Sequence, residues 1–342
     1  MDYIQALRFF NESELATKIK VAEHNAPNIF DGSGIYFLRC DGRHFKSFTK
    51  GLKKPFDKIL RNTMERTMIA LCEEVQGSVI GFTQSDEITV MFKKQNENSQ
   101  LSYGGRRTKI ETSAAASCTL FFNKFFMEEV QDAIDKKIDE YLKDNILGIS
   151  EIKEIVNKDF EIYTKKFLTA TFDARCFEMS TPMEAQQVVI WRILDCYKNA
   201  IQMIARSNFS NKELHEKKTY QMVSMLKDKG ITISSFPIRN IYGAFCCKEE
   251  KLLYKGTNRE CVRSKYTLKD TLSSVFTLDC FRNDVCTIGE IIKVKYKNEI
   301  VFGQVVNLID GEEKHNCGLA YPLLQVKLVD GTLVDIAPYD VI

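Results

Sequence analysis

Residues 79–92 set the architecture of this chain, and they read Val79-Ile80-Gly81-Phe82-Thr83-Gln84-Ser85-Asp86-Glu87-Ile88-Thr89-Val90-Met91-Phe92. Two apolar, partly β-branched runs surround a short polar turn. This pattern predicts strands near 78–83 and 88–93 that are joined as a hairpin. Asp86 lies at the tip of the hairpin, so a carboxylate is expected at one edge of a sheet.

A second junction of strand and turn precedes this hairpin. The apolar run 35–38 predicts a strand over about 35–40, and Asp41 and Gly42 follow it directly. Between the two junctions, Pro55 is expected to open a helix that runs to about Glu74. In this β-α-β-β order the first strand and the hairpin can pair in one antiparallel sheet, which would bring Asp41 and Asp86 to the same edge.

Paired aspartates at one sheet edge predict a metal site. Magnesium takes one or two carboxylates and completes its shell with water and substrate phosphates. Asp41, the Gly42 carbonyl and Asp86 are therefore enough protein ligands for such ions. Two divalent cations can drive phosphoryl or nucleotidyl transfer. Taken singly, each motif is also an ordinary turn.

Cationic residues surround these motifs in the sequence and favour polyphosphate chemistry over acid–base hydrolysis. Arg43, His44 and Lys46 follow Asp41. Lys53 and Lys54 precede the predicted helix N-terminus, where anions bind well. Arg106, Arg107 and Lys109 come shortly after the hairpin. The chain has no Gly-x-x-x-x-Gly-Lys-Ser/Thr sequence, which excludes a P-loop enzyme.

The rest of the chain predicts an α+β fold with a separate C-terminal part. Helical periodicity marks residues 5–25, 109–144, 183–205 and 211–228, while 167–179 looks extended. The charges of both signs over 128–165 favour a solvated helical face. Short alternating strands after about 285 predict a small SH3-like β-barrel. We therefore expect one domain over 1–265, with a helical insertion at about 126–165, and a second over 285–342.

Composition excludes several classes of protein. The 342 residues carry a net charge of only +2, so any basic surface for nucleic acid must be local. No apolar stretch is long enough to cross a membrane, and no signal peptide is visible. Eleven cysteines without a Cys-x-x-Cys pair fit reduced thiols in a cytoplasmic protein rather than a zinc site.

The ordered motifs resemble those of the tRNA(His) guanylyltransferase family. Within this family they are similar to the branch of tRNA(His) guanylyltransferase-like proteins, of the bacterial and phage type. The resemblance covers about residues 35–257, and it rests on seven motifs, which span 41–49, 51–57, 81–87, 106–110, 172–175, 191–195 and 254–257. It implies a fold similar to the palm of polymerases and nucleotide cyclases, a ferredoxin-like antiparallel sheet with helices. It also implies 3′-to-5′ addition of nucleotides to tRNA, on two Mg²⁺ ions, with GTP and ATP as substrates.

The resemblance also implies roles for individual residues. Asp41 and Asp86 would be catalytic and would hold the metal ions together with the Gly42 carbonyl. Residues 41–46 (Asp41, Gly42, Arg43, His44, Phe45 and Lys46) with Ser85 and Asp86 would bind the nucleotide. The triphosphate or the tRNA 5′ end would be bound by Lys54, Asp57, Arg106, Arg107 and Lys109. Family members form homotetramers, and no membrane partner is implied.

One departure separates two possible activities. Members that add guanosine to tRNA(His) carry a His-Ile-Asn-Asn-Leu-Tyr-Asn run, whereas residues 197–203 here read Tyr197-Lys198-Asn199-Ala200-Ile201-Gln202-Met203. This favours templated repair of tRNA 5′ ends over non-templated guanylylation. A nucleotide cyclase with the same fold is a less favoured alternative. The sequence leaves open which tRNA is served and what the C-terminal barrel does.

Overall fold

The computed structural model describes residues 12–94, 96, 98–143, 148–255, 259–269, 289, 291–297, 299–309 and 323–336. The chain forms two compact units. The core unit comprises Ala22–Glu178 and Asp195–Asp270, and the second unit comprises Met1–Val21, Met179–Leu194 and Thr271–Ile342. The linear division into residues 1–265 and 285–342 stays a prediction.

Helices and strands are interspersed along the first half of the chain. Up to β4 the order is α1 (Glu12–His24), β1 (Ile35–Gly42), α2 (Phe45–Phe48), α3 (Lys58–Glu74), β2 (Ser78–Gln84), β3 (Glu87–Phe92), α4 (Arg107–Lys143), α5 (Ile149–Thr164) and β4 (Phe172–Met179). The chain continues through α6 (Pro182–Asn208), α7 (Asn211–Leu214), α8 (Thr219–Asp228), α9 (Ile238–Tyr242), β5 (Ala244–Lys255) and β6 (Arg259–Lys269).

A six-stranded sheet organises the core unit, with the order β4-β1-β3-β2-β5-β6. β3 pairs antiparallel with both β1 and β2. The chain order β1-α3-β2-β3-α4-β4 combined with this strand order is the split βαβ arrangement of ferredoxin-like folds. The predicted α+β class, the first strand and the hairpin are confirmed.

Helices α3 and α4 cover one face of the sheet because each carries an apolar stripe. In α4, a buried residue recurs every four positions, at Ala114, Cys118, Phe122, Phe126, Val130 and Ile134. These side chains share a core with Leu38 and Val90 of the sheet and with Ile152 and Val156 of α5. The charged segment 128–165 thus has a buried stripe as well as a solvated face, and α4 is one helix of 37 residues.

Two predictions along the chain need correction, and one hairpin was not predicted. α3 begins at Lys58 instead of Pro55, because the Asp57 side chain caps it. The predicted helix 211–228 is two helices, α7 and α8. The sequence reading missed the long β5–β6 hairpin, and β6 extends past residue 265 to Lys269. Nothing in the described part of the chain tests the helix predicted over residues 5–11.

The described C-terminal residues form a separate four-stranded antiparallel sheet in the order β10-β9-β8-β7. Its strands are β7 (Ile291–Tyr296), β8 (Glu299–Ile309), β9 (Leu323–Leu328) and β10 (Leu333–Ile336). Alternate residues of each strand face one small core that includes Val294, Val305 and Val326. The alternating strands predicted after about 285 are present, and Gly331, at φ 88°, lies in the turn between β9 and β10.

Candidate functional site

The end of β1 and the turn between β2 and β3 meet at one edge of the sheet. Asp41 is the register partner of Glu87 on β3. One residue further on, the backbone N–H of Gly42 donates to the backbone oxygen of Asp86 over 3.1 Å. Ser85 adopts a left-handed φ of 49° in the turn. The predicted juxtaposition of Asp41, Gly42 and Asp86 is therefore present, although their catalytic role stays a prediction.

The two carboxylates repel one another. Burial is the largest cause that raises the pKa of Asp86, and the charge of Asp41 raises it further. A hydrogen bond from the Ser85 hydroxyl to Asp86 Oδ1, 2.9 Å long, opposes both effects. A site that disfavours its own negative charge in this way is favourable for a divalent cation.

The chemistry of the donors fits magnesium. Asp41, Asp86 and the Gly42 carbonyl offer hard oxygen ligands, which Mg²⁺ prefers. Among the described residues, no group of three or more His, Cys, Asp or Glu side chains could hold a metal ion. A pair of carboxylates matches an ion that takes the rest of its shell from water and phosphate oxygens.

A buried guanidinium balances two further carboxylates beside this pair. Arg39, two residues before Asp41 on the same strand face, is 8% exposed. Its Nη2 donates to Glu23 over 3.1 Å, and its Nε lies 3.9 Å from Glu87. No motif in the sequence pointed to these residues. Arg39 offsets the negative charge of Glu23 and Glu87.

Gly42 and Phe45 form a tight corner after β1. A Cβ atom on Gly42 would lie 2.2 Å from Cδ2 of Phe45, so glycine is required here. Phe45 is only 3% exposed, and its ring packs on Phe48 and Phe172 at centroid distances of 4.9 and 5.1 Å. The ring of Phe45 therefore belongs to the core, and a contact between Phe45 and a nucleotide stays a prediction.

The neighbours of Phe45 remain available to a ligand. Arg43, His44 and Lys46 are exposed. His44 has a left-handed φ of 58°, and the Arg43 amide donates to Thr171 O over 2.8 Å. These contacts fix the corner and leave three cationic or polar side chains at the aspartate edge.

The loop that carries Lys54 is anchored by Asp57. Lys54 is exposed, whereas Asp57 is 6% exposed. The Asp57 carboxylate accepts from the backbone amides of Lys53 and Leu60, each over 3.0 Å, and from the Tyr163 hydroxyl over 2.7 Å. This buried carboxylate with three donors orders the loop and caps α3, and its role as a phosphate or tRNA contact stays a prediction.

Arg106, Arg107 and Lys109 do not join the aspartates within one chain. The start of α4 is held at the other edge of the sheet, where Arg107 N donates to Asn28 O over 3.0 Å. The sheet edge that carries Asp41 and Asp86 lies near Asn123. The Asn123 side chain forms two hydrogen bonds with the backbone of Ala170, which precedes β4. Residue 107 is 16 positions earlier on the same helix (123 − 107), about 24 Å along its axis.

Asp195 connects a later segment to the site, a contact that the sequence reading did not anticipate. Gln84 ends β2 directly before the turn, and its Nε2 donates to Asp195 Oδ2 over 3.0 Å. The Asn199 amide donates to the same oxygen over 3.1 Å. The only signal in the sequence was the ordered run at 191–195. These bonds fix the strand end that presents Ser85 and Asp86.

Comparison with known proteins assigns a class, the nucleotidyltransferases that act on tRNA. Residues 17–180 match the model of the Thg1 family, described as tRNAHis guanylyltransferase. Over these residues, which make up just under half of the chain, the sequence is similar to the tRNAHis guanylyltransferase family. The resemblance inferred from the ordered motifs is confirmed.

The similarity to individual proteins extends beyond residues 17–180. The chain is 29% identical over 228 residues to "Uncharacterized protein R259" of Acanthamoeba polyphaga mimivirus, covering 63% of this chain and 70% of that one. A bacterial tRNA(HIS) guanylyltransferase (Thg1)-like protein in complex with ATP has a TM-score of 0.55 at 24% identity, over 75% of this chain and 91% of that chain. This likeness shows a shared fold. A second structure, of a protein of the same description in complex with GTP, has a TM-score of 0.49 at 22% identity, over the same shares of the two chains.

None of the helices in the described part of the chain combines the length and apolarity that crossing a bilayer requires.

Proposed function

We propose that this protein adds nucleotides to the 5′ end of tRNA in the 3′-to-5′ direction, opposite a template strand. The matched family supports nucleotidyl transfer to tRNA. The observation that carries the proposal is the 3.1 Å bond between Gly42 N and Asp86 O, which brings two carboxylates to one sheet edge. The raised pKa of Asp86 supports a cation between them.

Each residue of the edge has a distinct task in this proposal. Asp41, Asp86 and the Gly42 carbonyl would hold two magnesium ions, which would supply activation of the attacking 3′-hydroxyl and stabilisation of the leaving group. Arg43, Lys46 and Lys54 neutralise the polyphosphate of a bound ATP or GTP. Ser85 is exposed at the turn and can exchange its bond to Asp86 for one to the nucleotide.

The palm-like description of the fold belongs to the same proposal. It is supported by the split βαβ order and by the carboxylates at the end of β1 and at the β2–β3 turn. A closed C-terminal barrel, a homotetrameric assembly and a cytoplasmic location stay predictions from the sequence. The role of Arg106, Arg107 and Lys109 in binding triphosphate or the tRNA 5′ end also stays a prediction.

The test is nucleotide addition by the full chain to a tRNA that lacks its first 5′ nucleotide, with Mg²⁺ and all four nucleoside triphosphates. We expect a product extended by the nucleotide that pairs with the opposite strand. Asp86→Asn should lower the rate at least about a hundredfold. The matched control is Asp159→Asn, at an exposed position on α5. No extension by the unmodified protein would refute the proposal, and full activity of Asp86→Asn would refute the metal assignment.

Non-templated guanylylation of tRNAHis is the second candidate, and the 197–203 segment argues against it. This segment lies inside α6, where Ala200 and Ile201 are buried and Lys198 and Met203 are exposed, and it lacks the His-Ile-Asn-Asn-Leu-Tyr-Asn run. Templated addition would place G opposite C73 and U opposite A73, whereas non-templated addition would place G opposite both. Cyclic nucleotide formed without RNA would instead identify a cyclase.

A further inference from the structure

The C-terminal sheet has one apolar face and one basic face. Val294, Val301 and Val326 belong to the inner face, which forms the small core. Because side chains alternate along a strand, the residues between them face outward. Lys293 and Lys295 of β7 and Lys327 of β9 alternate with these core positions, and Lys295 and Lys327 are exposed. Asp335 of β10 is an outward carboxylate among the described residues of this sheet.

The strand register sets an aromatic residue beside these lysines. Phe302 on β8 is the direct partner of Lys293 on β7. Gln304, next on the same face of β8, is the partner of Lys327 on β9. Neighbouring strands lie about 4.8 Å apart and residues about 3.3 Å apart along a strand, so Lys293 and Lys327, which are offset by two residues, are about 12 Å apart. The face thus presents an aromatic ring between the two lysines of β7 and the single lysine of β9.

This combination has the chemistry of a single-stranded nucleic acid. Lysines neutralise backbone phosphates, an aromatic side chain stacks with an unpaired base, and a glutamine can bond a base edge. A protein partner with a complementary surface would instead need a row of carboxylates. The whole chain is almost neutral, with a net charge of +2, so a concentration of lysines on one face is a local feature.

We propose that the outer face of the C-terminal sheet binds a single-stranded segment of the RNA substrate. The proposal rests on the proposed function only in naming tRNA as that RNA. It goes beyond the family assignment because the matched model ends at residue 180. The basic face would add affinity for RNA without entering the chemistry at Asp41 and Asp86.

The test measures binding of the full chain to a fluorescent twelve-nucleotide single-stranded RNA and to tRNA by anisotropy, over a range of salt concentrations. The variant is K293Q/K295Q/K327Q. Each phosphate contact on a single strand contributes a slope of about −0.7 to log K against log salt, so three contacts give about −2. We expect the slope to lose about this amount and the affinity to fall at least about tenfold at 0.1 M salt.

A matched control removes the same charge elsewhere. K136Q/K153Q/K158Q neutralises three exposed lysines of α4 and α5. It should leave both slope and affinity unchanged. Phe302→Leu keeps an apolar side chain but removes the stacking surface, and it should weaken oligonucleotide binding about fivefold or more with an unchanged salt slope. Circular dichroism spectra of all variants confirm that the sheet is folded.

Two results would overturn the inference. One is equal RNA affinity of the two triple variants, which would make the face a solvated surface. The other is unchanged RNA binding together with a changed oligomeric state of the sheet variant, which would identify a protein contact. Failure of the proposed function is distinguishable, because a protein that binds RNA through this face but adds no nucleotide would refute only the activity.

Discussion

Tyr163 provides the sharpest test of how the site is held in place. Its hydroxyl donates over 2.7 Å to Asp57 Oδ2, which also accepts from the amide next to Lys54. Removing the hydroxyl by Tyr163→Phe deletes one bond to a buried carboxylate, and such bonds contribute about 1.5–3 kcal/mol. Asp57 keeps its other two donors, so we expect the low end of this range, about 1.5–2 kcal/mol.

Thermal unfolding would measure this loss. For a domain of this size, 1 kcal/mol corresponds to a shift in Tm of about 2–4 °C, so Tyr163→Phe should lower Tm by about 3–8 °C. The looser loop should also weaken nucleotide binding, with an increase of about three- to tenfold in Kd for ATP in equilibrium dialysis. Tyr141→Phe is the control, because the Tyr141 hydroxyl makes no hydrogen bond within the described part of the chain.

The pH dependence of stability gives an independent check. Burial, and then the hydrogen bond to Asp57, raise the pKa of Tyr163 above its usual value of 10.0. The folded state therefore retains a proton that the unfolded state loses, and stability falls as pH rises above about 10. Part of this loss should disappear in Tyr163→Phe. The reasoning is refuted if Tyr163→Phe and Tyr141→Phe unfold at the same temperature and bind ATP equally.

Three more predictions follow from contacts of the core unit. The pKa of Asp86 is raised above 3.8, so without divalent cations its contribution to stability is present at low pH and is lost as pH rises through the raised pKa. Asp86→Asn should therefore raise the free energy of unfolding at pH 7 in EDTA by about 0.5–2 kcal/mol. Added Mg²⁺ should narrow the difference in Tm between the two proteins in thermal melts. Gly81→Ala should cost about 1–3 kcal/mol in urea unfolding, because its Cβ would lie 2.5 Å from Cys72 Sγ; a cost under 0.5 kcal/mol would contradict the packing. Arg239→Ala should cost about 1.5–3 kcal/mol, because Glu65 is 4% exposed and accepts from Arg239 over 2.8 Å, while Arg61 Nε still lies 3.8 Å from its carboxylate; adding Glu65→Gln should restore much of the loss.

The sequence was sufficient for the paired carboxylates because their placement follows from local patterns. Residues 79–92 form two strands around a turn. The helix between β1 and β2 connects the two strands without placing them side by side, and β3 pairs with both. Antiparallel pairing then brings Asp41 and Asp86 to one edge without any detailed packing. The β5–β6 hairpin was missed because charged residues such as Lys248 and Glu249 interrupt its apolar alternation.

The position of the basic cluster could not be read from adjacency in the sequence. Arg106, Arg107 and Lys109 follow the hairpin closely, but β3 carries the chain away from Asp86 across the whole sheet. Six residues of strand cover about 20 Å. The burial of the Phe45 ring could not be predicted from the sequence, for a related reason. Only the tertiary structure shows that the corner after Gly42 turns this ring into the aromatic core and leaves Arg43 and Lys46 outside.

The bond between Gly42 and Asp86 also has a consequence for the order of folding. The β2–β3 hairpin closes between near neighbours, whereas β1 must find β3 across the whole of α3. Local contacts form faster than distant ones, because less chain entropy is lost when they close. The two carboxylates meet only at the last pairs of the β1–β3 ladder. A chain emerging from the ribosome or from denaturant therefore forms its secondary structure before it brings the two carboxylates together, and the proposed binding of Mg²⁺ would report completion of the fold.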